Sequence, residues 1–258
     1  MSASPGRLLV RRPGPLLDQG LVTHLSRQPV DLVAAARQWE SYVEVFRASG
    51  WDIIEVAPAD DCADAVFVED TMVAFDELVL MARPGALSRR PEIDSAFDAA
   101  AAAGLTTLCI ADPGTLDGGD VLKVGRTVFV GRSARTNDAG IEQLQQILEA
   151  RNWNVVPVLL TKALHLKSAV TALPDGTIIG WLPALEDEVP FAEVLAMPEE
   201  SGAHVVDMGG GALLMAGDCP DSVELIRSLG FSVTTVDIGE FAKLEGCVTC
   251  LSVRLRAR

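Results

Sequence analysis

The stretch that decides the fold is VFVEDTMVAFDELVLMARPG, residues 66–85, which reads as two short apolar strands joined by turn residues. Three later stretches have the same character. Parallel strands need long crossover connections instead of tight turns, so these hairpins argue against an ordinary doubly wound sheet. The three stretches are DVLKVGRTVFVG (120–131), AVTALPDGTIIGW (169–181) and VVDMGGGALLMAG (205–217).

Single helices alternate with the hairpins. The apolar spacing between residues 31 and 49 predicts a helix, whereas residues 181–200 are the place where a helix is missing or reduced. A hairpin, a helix and a strand form a ββαβ unit of roughly 50 residues, and about five such units fit into the chain, as in arrays and propellers. We therefore expect an α/β fold with residues 1–258 as a single domain. Helix stops are expected at Gly50, Gly104, Asn152 and Gly230, each of which precedes a β-branched strand.

The composition is that of a globular protein, since 49% of the 258 residues are hydrophobic and the net charge is −15. Nucleic acid and anionic membranes both require basic surface, so neither is expected as a partner. No leader and no membrane-spanning run is recognised, so we expect a cytoplasmic protein. The five cysteines, an odd number, are then expected to be free thiols.

The candidate chemistry lies in four short segments. Cys250 ends the segment LEGCVTC, and His165 lies in LHLKSA. Acidic side chains come from DGGD at 117–120 and from the Glu-Asp pair at 69–70. A thiol, an imidazole and several carboxylates are the parts of a thiol enzyme that acts on a cationic substrate.

Local patterns also predict where these residues lie. The leucines on either side of His165 place it on a strand or at a strand end, facing away from them. Glu69 and Asp70 follow an apolar run, so we expect them at a strand end, where sites form. Cys247 and Cys250 have the spacing of a redox dithiol or of half a zinc site. They fall in an apparent terminal strand and have no second ligand pair, which disfavours both interpretations.

Motifs of one known family run through the chain in order, from RRPG at 11–14 to SVRL at 252–255. With them, the chain resembles the dimethylarginine dimethylaminohydrolases of the guanidine-modifying (amidinotransferase or pentein) superfamily. The resemblance implies a five-bladed α/β propeller with pseudo-fivefold symmetry. The motifs are FVED (67–70), RPGALSRR (83–90), LDGGDVL (116–122), ARTN (134–137), LHLKS (164–168) and EGCVTC (245–250).

The resemblance also implies a reaction, the hydrolysis of asymmetric dimethylarginine and monomethylarginine to citrulline and a methylated amine, without a metal or an organic cofactor. Cys250 would be the nucleophile, His165 the general acid and base, and Asp117 the carboxylate that supports the histidine. Glu245 stands where the family usually has Asp. The other site residues would be Asp64, Glu69, Asp70 and Glu245 around the substrate cation, Arg89 and Arg135 at its α-carboxylate, Leu21 in a mobile flap, and the backbone of Leu244 in the wall.

Other functions share this pattern. A relative that acts on free arginine (a deiminase) or on another guanidine would use the same scaffold, although Arg89 and Arg135 favour a substrate with a carboxylate. A non-catalytic propeller that binds a protein partner would have no reason to keep the thiol, the imidazole and the acids together. The partner we expect is a small molecule, a methylated arginine, bound by a monomer or a homodimer.

Overall fold

Short strands and helices alternate along the chain in the computed structural model, which describes residues 5–76 and 78–256. The helices are α1 (Leu32–Ala48), α2 (Glu92–Ala102), α3 (Asp138–Glu149), α4 (Leu166–Ala169), α5 (Pro220–Ser228) and α6 (Gly239–Ala242). The strands are β1 (Gly6–Val10), β2 (Asp52–Glu55), β3 (Met72–Phe75), β4 (Leu78–Met81), β5 (Thr106–Cys109), β6 (Val121–Val124), β7 (Thr127–Arg132), β8 (Asn154–Leu159), β9 (Val170–Ala172), β10 (Ile178–Gly180), β11 (Leu195–Ala196), β12 (Val206–Gly209), β13 (Ala212–Ala216), β14 (Ser232–Val236) and β15 (Val253–Arg256).

The strands form five three-stranded sheets within the described residues, and four of these sheets are continuous repeats. In the sheet β3-β4-β5, β4 is antiparallel to β3, which it follows directly in the chain, and parallel to β5 across α2. The sheets β6-β7-β8, β9-β10-β11 and β12-β13-β14 repeat this pairing. A tight turn suits the antiparallel pair and a crossover suits the parallel pair, so the predicted ββαβ unit is confirmed.

The fifth unit is split between two distant parts of the chain. β15 is antiparallel to β1, and β1 is parallel to β2 across α1. Gly6 is paired with Arg256, and Leu9 with Val253. The last strand of the described chain therefore takes the place that a first hairpin strand has in the other units, and its pairing with β1 closes the ring.

All five sheets contribute to the wall of a central channel with a volume of about 650 Å³. The strands nearest the channel are the first hairpin strands β3, β6, β9 and β12, together with β15. In a propeller the same strand of each unit lies innermost, and the strands of this protein follow that arrangement. The opposite, helix-covered faces are packed by apolar side chains.

The predicted helix ends are confirmed. The carboxylate of Asp31 caps α1 by accepting from the backbone N–H groups of Val33 at 2.9 Å and Ala34 at 3.0 Å. After the helix, Gly50 has a φ of +84°, a left-handed conformation that costs glycine little. Gly104, Asn152 and Gly230 take the same kind of conformation after α2, α3 and α5.

Residues 181–200 lack an α-helix, as the sequence predicts. They contain a short 3-10 turn, Leu182–Ala184, and the two-residue strand β11. None of the helices in the described residues is long and apolar enough to span a membrane.

Candidate active site

Cys250 lies in a turn before β15 and not in the terminal strand that the sequence suggests. Its backbone N–H donates to the carbonyl oxygen of Cys247 at 3.1 Å, and this turn bond takes the place of strand pairing. The Cys250 carbonyl accepts from the backbone N–H of Glu69 at 3.1 Å. Tyr42, from α1, donates its hydroxyl to the carbonyl of Val248 at 2.9 Å and so fixes the turn from the core.

The Cys250 thiol is poorly ionised when no ligand is bound. Contact with the sulfur of Cys247 at 3.3 Å, burial, and the negative charges of Glu69 and Asp70 raise the pKa of Cys250 well above its usual value. A cation placed near the sulfur would offset these negative charges. A positively charged ligand would therefore favour the thiolate.

His165 immediately precedes α4, so the prediction of a strand position is wrong. Its carbonyl accepts from the backbone N–H of Ser168 at 3.0 Å, which begins a helical turn. The imidazole Nε2 lies 3.0 Å from Oδ2 of Asp117, and Nδ1 lies 3.7 Å from Oδ1 of Asp70. Burial alone would lower the pKa of His165, but the charge of Asp70 and the hydrogen bond to Asp117 raise it to about 9. The side chain is thus a cation at neutral pH.

Glu69 and Asp70 lie in the 3-10 turn Val68–Thr71 that precedes β3, whereas the sequence pattern places them after a strand. The apolar run before them makes successive turn bonds instead of a sheet ladder, for example from the Phe67 N–H to the Asp64 carbonyl at 3.0 Å. A short apolar run alone does not distinguish a strand from buried turns.

The Asp70 carboxylate is a fixed anion in the site. Its Oδ1 accepts from the backbone N–H of Gly119 at 2.8 Å, and its Oδ2 accepts from Arg89 at 2.5 Å. Burial would raise the pKa of Asp70, but the positive charges of His165 and Arg89 hold it well below its usual value.

Gly119 lets the acidic turn approach the imidazole. A Cβ atom at this position would lie 2.6 Å from Oδ1 of Asp70 and 2.7 Å from Nδ1 of His165. The sequence analysis used DGGD only as a source of acidic side chains and missed this requirement for glycine. The available signal was the position of the pair of glycines between two candidate acids.

Asp120, the second acid of DGGD, is a further residue that sequence reasoning missed. Its Oδ1 accepts from the backbone N–H of Leu166 at 3.0 Å, directly after His165. Its Oδ2 accepts from the hydroxyls of Ser133 at 2.7 Å and Thr136 at 2.6 Å. Asp120 therefore ties the start of α4 to the loop that carries Arg135.

Arg89 is bound mostly within the protein. Its Nε and Nη2 groups donate to the buried carboxylate of Glu92, Nη2 also donates to the carbonyl of Phe67 at 3.0 Å, and Nη1 donates to Asp70. Only one of the five guanidinium N–H groups is left for a ligand. Arg89 therefore holds Asp70, and one N–H group of Nη1 remains for the contact with a substrate carboxylate that the resemblance implies.

Arg135 keeps its donors available. Its Nη1 lies 3.6 Å from Oδ2 of Asp117, and no other side-chain hydrogen bond or ion pair of Arg135 is found within the described residues. The guanidinium lies in the wall of the same pocket as Cys250. Of the two arginines, Arg135 is the one whose geometry suits a substrate carboxylate.

Asp64 and Glu245 lie in the pocket wall, and both carboxylates accept hydrogen bonds from backbone N–H groups. Asp64 accepts from the backbone N–H of Leu21 at 2.9 Å. Glu245 accepts from three successive backbone N–H groups, those of Thr23 at 2.8 Å, of His24, and of Leu25 at 2.9 Å. Both acids hold residues 20–25, which we call the flap, over the pocket.

Glu69 also differs from its predicted role. Its carboxylate accepts from Lys167 at 2.6 Å and from the hydroxyl of Thr249 at 2.9 Å. It lies in the wall of the central channel and not in the wall of the pocket. Glu69 therefore supports the Cys250 turn from the channel side.

Most of the predicted site residues lie in the wall of one pocket. Asp117 lies behind His165, and sequence reasoning missed three residues of the wall, Phe67, Leu164 and Gly246. The space left in the pocket is about 20 Å³, enough for about one water molecule. The predicted residues in the wall are Leu21, Asp64, Asp70, Arg89, Arg135, His165, Leu244, Glu245 and Cys250.

Asp70, Asp117 and His165 are the one group of side chains in the described residues whose donor atoms lie close enough together to hold a metal ion, within 4.8 Å. A histidine binds a metal ion only through a neutral imidazole. Because the pKa of His165 is raised to about 9, this imidazole is protonated at neutral pH. The group is better suited to hydrogen bonding than to metal binding.

Five three-stranded units, four of them with a helix between their parallel strands, define an α/β propeller. Together with a pocket that contains a thiol, an imidazolium and fixed carboxylates, they are typical of the guanidine-modifying superfamily. The sequence is 55% identical, over 97% of both chains, to the N(G),N(G)-dimethylarginine dimethylaminohydrolase of Streptomyces coelicolor. The chain belongs to the dimethylarginine dimethylaminohydrolase family. No family model matches the sequence.

Solved structures agree with the fold. A cysteine-to-serine mutant of the Pseudomonas aeruginosa enzyme complexed with citrulline has a TM-score of 0.89 at 30% identity, covering 97% of this chain and 99% of that one. An adduct of a dimethylarginine dimethylaminohydrolase with S-methyl-L-thiocitrulline has a TM-score of 0.89 at 29% identity, covering 96% and 99%. The predicted five-bladed propeller is confirmed.

Proposed function

We propose that this protein hydrolyses Nω-methylated arginines, namely asymmetric dimethylarginine and monomethylarginine, to L-citrulline and dimethylamine or methylamine. The reaction passes through a thiouronium that is covalently bound to Cys250. The observation that carries the proposal is the convergence of the Cys250 thiol, the His165 imidazolium and the Asp70 anion on one pocket.

The first half of the reaction forms the covalent intermediate. The substrate guanidinium lies against Asp70 and favours the thiolate of Cys250, so the thiol releases its proton to solvent. The sulfur then attacks the central guanidinium carbon. The tetrahedral adduct then breaks its bond to the methylated nitrogen. His165 gives its proton to that nitrogen, so the leaving group departs as a neutral amine. General acid catalysis of this kind contributes about 10²–10⁴ to the rate.

The second half hydrolyses the intermediate. His165, now neutral, accepts a proton from a water molecule as the water oxygen attacks the thiouronium carbon. The carbon–sulfur bond then breaks and the sulfur leaves as a thiolate. The hydroxyl of the adduct loses its proton to solvent as its carbonyl forms, and citrulline is released. Asp117 holds the imidazole through Nε2 and stabilises its charged form in both halves.

Substrate polarity follows from the charges at the two ends of the pocket. Asp70 suits the guanidinium, and Arg135 suits the α-carboxylate. The space of about 20 Å³ does not hold an arginine, so residues 20–25 must move before a substrate enters. The complexes of relatives with citrulline and with S-methyl-L-thiocitrulline support a ligand of this size and polarity.

The experiment is a comparison of substrates. The purified protein is incubated with asymmetric dimethylarginine, monomethylarginine, arginine and agmatine, and citrulline, methylated amines and ammonia are measured. We expect citrulline and a methylated amine from the first two. Ammonia release from arginine as the fastest reaction would instead assign the protein to the arginine deiminases.

The nucleophile is tested by replacing Cys250 with Ser. Because a hydroxyl is far less ionised than a thiol, we expect kcat to fall by more than about 10³. Cys109→Ser is the matched control, since Cys109 is exposed and lies outside the pocket. Retained turnover in Cys250→Ser, with a thermal transition like that of the control, would refute the covalent mechanism.

The protein is further proposed to act in the cytoplasm as a monomer or homodimer without nucleic acid, membrane or cofactor. The net charge of −15 supports the absence of an anionic partner, and the five cysteines are free thiols, as in a reducing compartment. Light scattering after size exclusion distinguishes a monomer from a dimer. Cell fractionation tests the compartment.

A further inference from the structure

Cys247 and Cys250 are two cysteines of one turn whose sulfur atoms are in contact. The two Sγ atoms lie 3.3 Å apart. The backbone N–H of Cys250 donates to the carbonyl of Cys247 at 3.1 Å, so the two residues are the first and the last of a four-residue turn. A position in a terminal strand disfavoured a redox dithiol at the level of the sequence, and the turn removes that reason.

The turn brings the cysteines within the range that a disulfide requires. The first and last Cα atoms of such a turn lie less than about 7 Å apart, and disulfides span Cα distances of about 4.4–6.8 Å. The sulfurs must still approach from 3.3 Å to about 2.0 Å. Rotation of the two cysteine side chains about their Cα–Cβ bonds is enough for a movement of this size.

The backbone between the two cysteines is held from both sides. Tyr42 donates its hydroxyl to the carbonyl of Val248 at 2.9 Å. The hydroxyl of Thr249 donates to the buried carboxylate of Glu69 at 2.9 Å. These bonds fix the turn but not the cysteine side chains, so the two sulfurs stay together at a high effective concentration.

The contact between the sulfurs also favours a reactive thiolate. The Cys250 thiol donates to the Cys247 sulfur, and this hydrogen bond lowers the pKa of Cys247 well below its usual value in spite of burial. When the pair loses one proton, the negative charge therefore lies on Cys247. A thiolate is the form that attacks another sulfur.

Cys250 is the sulfur that an oxidant from solvent meets first. It lies in the wall of the pocket under the flap. Cys247 is buried and is not among the described residues that form the wall of the pocket or of the central channel. The movement of residues 20–25 that admits a substrate also admits a peroxide, which is a smaller molecule.

We propose that Cys247 and Cys250 form a site of oxidative modification, at which a peroxide converts the two cysteines to an intramolecular disulfide. The Cys250 thiol gives its proton to the Cys247 sulfur as its own sulfur attacks one peroxide oxygen, and the other oxygen leaves as hydroxide. This hydroxide takes the proton from Cys247. The Cys247 thiolate then attacks the sulfur of the Cys250 sulfenic acid, whose hydroxide leaves and takes a proton from solvent. The two sulfurs lose two electrons, and hydrogen peroxide becomes two water molecules.

The disulfide removes the sulfur that the proposed reaction needs, so the oxidised protein is inactive until a dithiol reduces it. Without Cys247, the sulfenic acid of Cys250 reacts with more peroxide to a sulfinic acid, which a dithiol does not reduce. Cys247 therefore protects the nucleophile from irreversible oxidation. The effect on turnover rests on the proposed function, whereas the formation of the disulfide does not.

The disulfide is tested by mass spectrometry of the tryptic peptide 244–254, in which Cys247 and Cys250 are the only cysteines. The protein is treated with hydrogen peroxide, denatured, alkylated with iodoacetamide and digested. We expect a peptide that is not alkylated and is about 2 Da lighter than its dithiol form. Prior reduction with dithiothreitol should restore alkylation at both cysteines. A peptide that is still alkylated at both cysteines after millimolar peroxide would overturn the proposal, whether or not the protein hydrolyses methylated arginines.

Cys247→Ser tests the role of the second sulfur. We expect peroxide-treated wild type to regain most of its turnover with dithiothreitol, whereas Cys247→Ser regains less than about a tenth of its own untreated turnover. Cys247→Ala takes its place if the serine variant does not fold. Cys109→Ser is the matched control, because Cys109 is an exposed cysteine outside the turn and its loss should leave recovery like that of the wild type.

The mass of the same peptide gives a readout that does not need turnover. In peroxide-treated Cys247→Ser we expect a sulfinic acid at Cys250, which adds about 32 Da and persists after dithiothreitol. Wild type and Cys109→Ser should lack this addition. Equal recovery of turnover, or equal amounts of sulfinic acid, in wild type and Cys247→Ser would overturn the proposal.

Discussion

A methyl group at position 119 would occupy space that the site needs. We expect Gly119→Ala to lower kcat by about 10², because the new Cβ would separate Asp70 from His165 by a fraction of an ångström to an ångström. The measurement is steady-state kinetics with asymmetric dimethylarginine, together with a thermal transition to confirm folding.

Gly217→Ala is the control for this substitution. A Cβ at Gly217 would lie 3.6 Å from the carbonyl oxygen of Val236, an ordinary contact far from the pocket. Equal activity of the two variants would show that the acidic turn does not need glycine at position 119.

His165 predicts how stability depends on pH. Its pKa is 6.5 when unperturbed and about 9 in the folded protein, so the folded state binds the proton more tightly. The stabilisation is fully present below pH 6.5 and is lost as the pH rises through about 9. We expect the free energy of unfolding to fall over this range by an amount of the order of 3 kcal/mol more in wild type than in His165→Gln.

Urea unfolding at a series of pH values measures this difference. His24→Gln is the control, because His24 is exposed on the flap and should leave the pH dependence of the wild type unchanged. Parallel curves for wild type and His165→Gln would mean that the imidazole is not held as a cation.

At the scale of single residues, the sequence predicts which residues form the site better than it predicts their contacts in the fold. Cys250, His165 and Asp117 could be predicted because their motifs are local. The partners of Asp64, Glu245 and Arg89 could not, because each depends on which backbone or acid the folded chain brings close. The residue types alone are equally compatible with binding a ligand or binding the protein itself.

Among the elements, the flap is held by several backbone N–H donors that share one accepting carboxylate. The three backbone N–H groups of Thr23, His24 and Leu25 all donate to one carboxylate. An amide accepts through one oxygen only and carries no charge, so we expect Glu245→Gln to loosen the flap. Hydrogen exchange of residues 23–25 should become about tenfold faster, and KM should rise more than kcat changes.

Glu199→Gln is a matched control for the flap. Glu199 likewise accepts from successive backbone N–H groups, those of Asp221 at 3.0 Å and Ser222 at 2.7 Å, at the start of α5. It should change exchange near α5 and leave residues 23–25 unaffected. If Glu245→Gln leaves flap exchange unchanged, the carboxylate does not hold the flap.

The elements themselves were largely predictable because turn chemistry and periodicity are local. The hairpins and helix ends are found where Gly, Asn and apolar spacing place them. Cys250 was wrongly predicted in a strand, His165 on a strand or at its end, and Asp70 at a strand end. Short segments of mixed or apolar composition are equally compatible with buried turns. The hydrogen bonds that make these segments turns join backbone groups, so the side-chain types give little indication of them.

On the scale of the whole molecule, the split fifth unit predicts tolerance of new termini. Gly6 and Arg256 are strand partners, so a short linker can join the two ends of the described chain. Gly210 and Gly211 lie in a turn whose added Cβ atoms would meet nothing within 4 Å. We expect a circular permutant opened between them to keep its activity and to lose no more than about 2 kcal/mol of unfolding free energy.

Urea denaturation and turnover of the permutant check this expectation. As residues 1–258 are expected to form one domain, both the permutant and the wild type should unfold in a single transition. A permutant opened within β7, at Val128, is the contrasting control, since Val128 is paired with Lys123 of β6 and with Val155 of β8. Two separate transitions in the wild type would contradict the single domain.

The position of β15 ties the completion of the fold to the appearance of activity. Cys250 lies just before β15, the strand that pairs with β1, and β15 is the last strand of the described chain. A polypeptide still emerging from the ribosome carries His165 and its acids but has no sulfur in place beside them. During synthesis the nucleophile of the pocket is therefore supplied after its imidazole and its carboxylates.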